Sequence, residues 1–269
     1  MIAVELGKMA RRPRTWVGIA LLCGLPTLVA AFLAATEVGP APGEEPVFLS
    51  AVLTNGALFP VAALALVLPL FLPVVVAVVA GDSIAGEAAT GTLRYMLIRP
   101  VSRTRLLVAK LIALVAFVLL AVTSVTAVGY VVGVSLFESS ATTVSTVSGV
   151  PLTREELFLR MLGAMLYIAV SMLGLGAIAL FLSTMTESPL AATLGALAAM
   201  VASQVLVTLA AAESISPYLP TRYWLAWIDL FRDPIAWRDI QRGLAIQLVY
   251  VGVFLGAAWA NFATKDVRS

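Results

Sequence analysis

Histidine is wholly absent from this 269-residue chain, and cysteine occurs once. The first absence removes Ser-His and Cys-His nucleophile pairs, HExxH zinc sites and the imidazole proton switch together. The second excludes a disulfide framework or cysteine zinc cluster and leaves Cys23 as a packing residue in an apolar run. Charge is scarce too: 12% of residues are charged against 61% hydrophobic, with a mean hydropathy of +1.02. A soluble domain carries roughly twice that charged fraction, so the composition is that of a membrane protein built from transmembrane helices. No GxxxxGK[ST] phosphate loop occurs, so ATP hydrolysis is not this chain's own work. The apolar runs also lack the internal Asp, Glu or His that an ion-driven carrier ordinarily places there. Lys110 sits near the end of one run, where it can snorkel.

Six apolar runs are present, at about 16–36, 57–80, 106–136, 160–183, 189–212 and 243–262, each of the length a bilayer needs. They make residues 1–269 a single transmembrane domain with both termini on one side. Of the 17 basic residues, 11 fall on the side of the termini (Lys8, Arg11, Arg12, Arg14, Arg94, Arg99, Arg103, Arg105, Lys110, Lys265 and Arg268) and 6 fall opposite. The positive-inside rule then puts both termini in the cytoplasm. The first run is read as a retained anchor rather than a cleaved signal, because five further runs follow it.

The connections carry their own signals. Thr153 followed by Glu155 and Glu156 announces a helix N-terminus leading into the fourth run. Ser188-Pro189 does the same for the fifth. Pro60, Pro69 and Pro73 predict kinks in the second, with carbonyls freed to face a cavity or a neighbouring helix. Residues 213–242 hold Tyr218, Tyr223, Trp224, Trp227 and Trp237, which read either as short re-entrant or interfacial helices on the outer side or as an ordinary aromatic belt. At the N-terminus, Ile2, Leu6 and Met9 share a helical face with Glu5, Lys8 and Arg12 elsewhere, which suits a short interfacial helix or a simple basic anchor. Met161, Met165 and Met172 form a stripe that either packs the core or lines a path for a flexible apolar ligand or soft metal. Gly129/Gly133 and Gly252/Gly256 have the GxxxG spacing that allows close helix contact.

The most distinctive stretch is the polar island from Gly81 to Lys110 between the second and third runs. It carries Gly86-Glu87, Gly91-Thr92-Leu93-Arg94, Arg99-Pro100-Val101-Ser102-Arg103 and Ala109-Lys110. With six spans, an N-terminal interfacial helix and a basic tail, this wording resembles the permease subunit of ABC type-2 exporters. The resemblance implies an all-α membrane protein with six transmembrane helices and cytoplasmic termini. It also implies a cytoplasmic coupling helix within the 81–105 loop, falling on Ile84 to Thr92, and short outer helices before the sixth span.

The same resemblance implies that ATP and magnesium are bound by a separate ATP-binding cassette ATPase, present in two copies, while this chain binds no cofactor and no nucleic acid. A second permease chain, identical or related, would complete the complex in a bacterial inner membrane. Glu87 is the expected polar contact to the ATPase, with Ile84, Gly91, Thr92, Arg94, Arg99 and Arg103 beside it; lipid headgroups are the other candidate partners of the arginines. Polar residues within the spans, Thr123, Thr126, Ser203, Gln204 and Thr208, are candidates for a translocation path, and the apolar composition suits an amphiphilic cargo such as a drug, antibiotic, peptide or lipid. A nonenzymatic membrane scaffold or assembly factor and an ion-coupled carrier remain the alternative classes.

Overall fold

Prolines and capping side chains decide where the helices start and stop. The computed structural model describes residues 1–36, 56–90, 103–137, 144–145 and 151–264. Helix α1 (Ile2–Arg11) leads through Arg12 into α2 (Pro13–Thr36). A 3-10 turn (Gly56–Leu58) opens α3 (Phe59–Val67), and α4 (Phe71–Ala89) follows a turn at Leu68 to Leu70. The longest helix, α5 (Arg103–Leu136), precedes a two-residue antiparallel pairing of β1 (Val144–Ser145) with β2 (Pro151–Leu152). Helices α6 (Arg154–Met185), α7 (Pro189–Thr208) and α8 (Trp237–Thr264) complete the chain. Six of these, α2, α4, α5, α6, α7 and α8, are long and apolar enough to cross a membrane.

The expected caps are present. Thr153 accepts from the Glu156 backbone N–H at 3.3 Å while the Glu156 carboxylate accepts from the Thr153 N–H at 2.9 Å, a reciprocal capping box that starts α6 six residues before the expected 160. Ser188 accepts from the Ala191 N–H at 3.3 Å, with Pro189 as the first helical residue. The second apolar run differs from expectation: it is broken into α3 and α4 rather than merely kinked. Pro69 cannot donate to a preceding carbonyl, and its own carbonyl finds Pro73, also without an N–H, four residues later. That orphan carbonyl is satisfied across the bundle by Gln204 Nε2 at 2.8 Å.

Helix α6 is the most buried of the six spans and α8 the least. Around α6 pack α4, α5, α7 and α8, while α1, α2 and α3 lie against α5. The core runs through Leu22, Phe59, Leu64, Leu72, Phe117, Ile168 and Met172. The α3 to α5 contact depends on Gly129 and Gly133, where an added Cβ would run into Pro60 and the Gly56 carbonyl. This GxxxG is therefore spent inside the chain, whereas Gly252 and Gly256 face open space. Contacts join the start of α5 to the ends of α6 and α8: Arg103 Nη1 donates to the Phe262 carbonyl at 2.9 Å, and Asn261 Nδ2 to Thr184 Oγ1 at 2.9 Å. With α1 docked beside Lys110, the N-terminus and the end of α8 lie at the same end of the bundle.

Residues 213–242 are the segment expected to form short re-entrant or interfacial helices or an aromatic belt. They fold into 3-10 turns (Ser216–Tyr218 and Ala226–Phe231) followed by the first residues of α8. Trp224 and Trp227 are buried, the latter completely, with Phe231 edge-on to Trp227 at 6.1 Å. Hydrogen bonds from Tyr167 to the Tyr223 carbonyl (2.6 Å), Gln247 to Pro220 (2.6 Å) and Arg160 to Leu230 and Arg232 (3.1 and 2.8 Å) draw the segment onto α6 and α8. The aromatics thus close one end of the bundle, leaving Tyr218 and Trp237 exposed.

Candidate functional site

Two features concentrate polar chemistry or open space: a charge network at the terminal end and a groove at the opposite end. The network begins with α1. Glu5, Lys8 and Arg12 recur at i, i+3 and i+7, so they share one helical face. That face turns inward, while Ile2 and Val4 are exposed. Lys8 Nζ lies 2.7 Å from Glu5 Oε1 and 2.9 Å from Glu87 Oε1. Lys110 Nζ lies 2.7 Å from Glu87 Oε2 and 3.4 Å from Glu5 Oε2, and it donates to the Ser83 carbonyl at 2.5 Å. Arg12 and Arg14 grip the two oxygens of Asp82 at 2.8 and 2.6 Å.

Three carboxylates thus meet four cations across α1, the start of α2, the end of α4 and the start of α5. Their burial differs and so do their energetics. Lys110 and Glu87 are 2% and 5% exposed, so solvent hardly screens them and each needs the other. Lys8, Arg12 and Arg14 are a third to a half exposed, and their pairs are correspondingly weaker. At Glu5, burial pushes the carboxyl up, but the Lys110 charge and the hydrogen bonds from Lys8 and Lys110 outweigh it and hold it below its ordinary range. At Lys8, burial pulls down, and the hydrogen bonds to Glu5 and Glu87 win, raising the ammonium above its usual value. A small cavity of about 50 Å³ lies among these side chains.

A second device fixes the end of α4. The Ser183 hydroxyl on α6 donates to the Gly81 carbonyl at 2.7 Å and accepts from the Ala85 and Ile84 N–H groups at 2.8 and 3.1 Å. It thereby bridges the Gly81 carbonyl and the Ala85 N–H, one turn apart on α4. Gly81 faces Thr193 so closely that a Cβ there would strike its hydroxyl, so α7 also bears on this point.

The residues of the expected coupling helix fall partly within the bundle and partly outside the described residues. Ile84 and Glu87 do not stand out on a polar loop; they occupy the last turns of α4, a continuation of the span, and both are buried. Ile84 packs with Leu106, Leu107, Leu180 and Phe262, and Glu87 is committed to Lys8 and Lys110. Arg103 is tied to the Phe262 carbonyl. Gly91, Thr92, Arg94 and Arg99 lie outside the described residues. The apolar spans also carry more charge than the sequence suggested, because α4 reaches past residue 80 to include Asp82 and Glu87.

The groove, of about 700 Å³, lies between α5 and α6 with Ala57 and Pro60 at one side. Thr123 and Thr126 line it, together with Tyr130, Phe158, Met161 and Met165. Met172, the third residue of the methionine stripe, is fully buried in the core instead. The other path candidates are elsewhere on α7: Ser203 bonds Thr221 at 2.7 Å, Gln204 caps the Pro69 carbonyl, and Thr208 bonds the Val205 carbonyl at 2.8 Å. Thr123 and Thr126 are therefore brought together in one open space, and Ser203, Gln204 and Thr208 are not part of it. Among the described residues, no group of three or more Cys, Asp or Glu side chains is arranged to hold a metal ion.

The family described as Protein of unknown function (DUF2705) matches residues 47–268. The chain belongs to that family. The match takes in Asp82, Glu87, Lys110 and the whole groove, whereas Glu5, Lys8, Arg12 and Arg14 precede it. No curated protein matches the chain.

Proposed function

We propose that this protein is the membrane permease subunit of an ATP-driven exporter, oriented in a bacterial inner membrane with both termini in the cytoplasm. The observation that carries the reading is the junction at the terminal end. There α1, α4 and α5 are cross-linked by Lys8, Lys110, Glu5 and Glu87, and α4 is pinned to α6 through Ser183. Residues 91–102 connect the two helices that this junction holds. A push on that connection from a cytoplasmic ATPase would pass into α4 and α5 as one body rather than be absorbed by a slack loop.

In this reading Gly91, Thr92, Arg94 and Arg99 form the docking surface, and Glu87 acts from behind it by fixing the end of α4. Energy comes from the partner ATPase, present in two copies with its own ATP and magnesium, and a second permease chain completes the path. The cargo is an amphiphile, since the open space between α5 and α6 is chiefly apolar, with two threonines, Tyr130 and a single charged residue, Arg154. An ion-coupled carrier is the second reading, favoured by the buried carboxylates of Asp82 and Glu87; both are held by cations at the end of the bundle rather than midway along a span.

The test is a complex of this chain with its ATPase in which Gly91→Pro is introduced. The reading expects the ATPase to remain bound while amphiphile no longer stimulates hydrolysis. Stimulation equal to the unaltered complex would refute the coupling role. Transport abolished by a protonophore with ATP still present would favour the carrier.

A further inference from the structure

The groove between α5 and α6, the same space from which an amphiphilic cargo is argued, has the dimensions and chemistry of a lipid site whether or not an ATPase drives the chain. One wall runs from Thr123 to Val134 on α5 and the other from Arg154 to Met165 on α6. Each wall advances by the same eleven residues, about 16 Å at the helical rise of 1.5 Å per residue. That is about half of a hydrocarbon core some 30 Å thick, the depth of one leaflet. The volume of about 700 Å³ lies within the range of ordinary ligand pockets.

The lining is apolar apart from Thr123 and Thr126 towards one end, Tyr130 on the rim and Arg154 at the other end. At the inner end Thr126 donates to the Val122 carbonyl at 2.9 Å, so its hydroxyl is satisfied within its own helix and asks nothing of an occupant. At the outer end stands Arg154, the single charged residue of the lining. It is the first residue of α6, exposed, and among the described residues it forms no ion pair. Its neighbours are occupied or turned away: Glu156 closes the cap with Thr153, Arg160 donates to the Leu230 and Arg232 carbonyls, and Glu155 is exposed and outside the lining. A guanidinium at a helix N-terminus favours an anion on both counts.

Tyr130, Val134, Phe158 and Leu162 on the rim are 40–64% exposed, so the groove opens sideways to whatever surrounds the spans, which is the bilayer. We propose that this groove binds one anionic phospholipid of the leaflet remote from the chain termini, with its phosphate on Arg154 and one acyl chain lying between α5 and α6 down to Thr123 and Met165. A second copy of the chain fits the same surface less well, because it would bury Arg154 against apolar helix unless it also brought an acid.

Native mass spectrometry of the full chain, delipidated in mild detergent and titrated with phosphatidylglycerol or phosphatidylcholine, tests this directly. The expected result is one tightly held phosphatidylglycerol per chain, bound about tenfold more tightly than phosphatidylcholine and not displaced by inorganic phosphate. Arg154→Gln should erase that preference, and Ala127→Trp, which fills the groove from α5, should weaken both lipids. Arg238→Gln, a basic residue outside the lining, should leave both affinities unchanged, and circular dichroism checks that each variant folds. Equal affinities for the two lipids in the unaltered chain would overturn the proposal. So would retention of the preference in Arg154→Gln, competition by free phosphate, or a lipid-free dimer that Ala127→Trp disrupts.

Discussion

Removing both members of the Lys110–Glu87 pair should cost clearly less than the sum of the two single removals. The two groups meet at 2.7 Å with 2% and 5% of their side chains exposed, so screening is slight. Stripping one partner from a buried pair costs about 3–5 kcal/mol. In Glu87→Gln the stranded Lys110 keeps Glu5 at 3.4 Å and the Ser83 carbonyl at 2.5 Å, which places the loss near the lower limit, about 3 kcal/mol. In Lys110→Met the stranded Glu87 keeps Lys8 at 2.9 Å, a partner about a third exposed, and the loss should be about 2 kcal/mol. The double variant removes both buried charges and leaves Glu5 with Lys8, so it should fall short of the sum of the singles by about 1.5 kcal/mol or more. Denaturation in graded dodecyl sulfate, followed by tryptophan fluorescence, gives the three free-energy differences. Additivity to within about 0.5 kcal/mol would show that the two groups act independently and would refute the buried-pair account.

Docking of α1 should depend on pH at both extremes. The Glu5 carboxyl is depressed, so its contribution is present above its ordinary 4.5 and lost as pH falls through the lower folded value; the Lys8 ammonium is raised, so its contribution is present below its ordinary 10.5 and lost as pH rises through the higher one. A spin label on α1 should therefore stay immobilised from about 4.5 to 10.5 and loosen outside that window, and loosening near neutrality would contradict the assignment. Gly133→Val should separate α3 from α5 and lower stability by about 3 kcal/mol or more, while Gly256→Ala, with nothing within 4 Å, should stay within about 0.5 kcal/mol; the comparison needs only thermal melts in detergent. Ser183→Ala should cost about 1 kcal/mol rather than the sum of three hydrogen bonds, because the Ala85 N–H and the Gly81 carbonyl are helix partners one turn apart and satisfy each other without it; faster hydrogen exchange at Ile84 with Ala85 still protected is the expected signature.

The helical segments were legible because they rest on local signals. Apolar runs of span length, the Thr153 and Ser188 caps and the prolines of the second run each act within a few residues, and the helices begin or break close to where those signals fall. The break at Leu68 to Leu70 is foreshadowed by Pro69 and Pro73, but it also rests on Gln204 from another helix donating to the freed Pro69 carbonyl, a contact 135 residues away in sequence. The charge network was written in the sequence in pieces. Glu5, Lys8 and Arg12 on one face, and Lys110 alone among apolar residues, are each visible; which carboxylates they meet is a tertiary fact. The sequence points Glu87 outward because the apolar run of the second span ends near residue 80. The small residues Ala80, Gly81, Ala85 and Gly86 instead let the helix run on between α6 and α7, carrying Asp82 and Glu87 inward. The amphipathic character of Trp224 and Trp227 points to re-entrant or interfacial helices or an aromatic belt, and does not show that the 3-10 turns around them pack on α6 and α8, which depends on Tyr167, Arg160 and Gln247 far along the chain.

The central claim is that this chain works with an ATPase it does not itself contain. Purification of the tagged, full-length chain from its native membrane in mild detergent, with mass identification of co-purifying proteins and an ATPase assay, tests it most directly. The account predicts a stoichiometric ATP-binding subunit and vanadate-sensitive hydrolysis that an amphiphile stimulates. Recovery of the chain without any ATPase, under conditions that keep other membrane complexes intact, would contradict it.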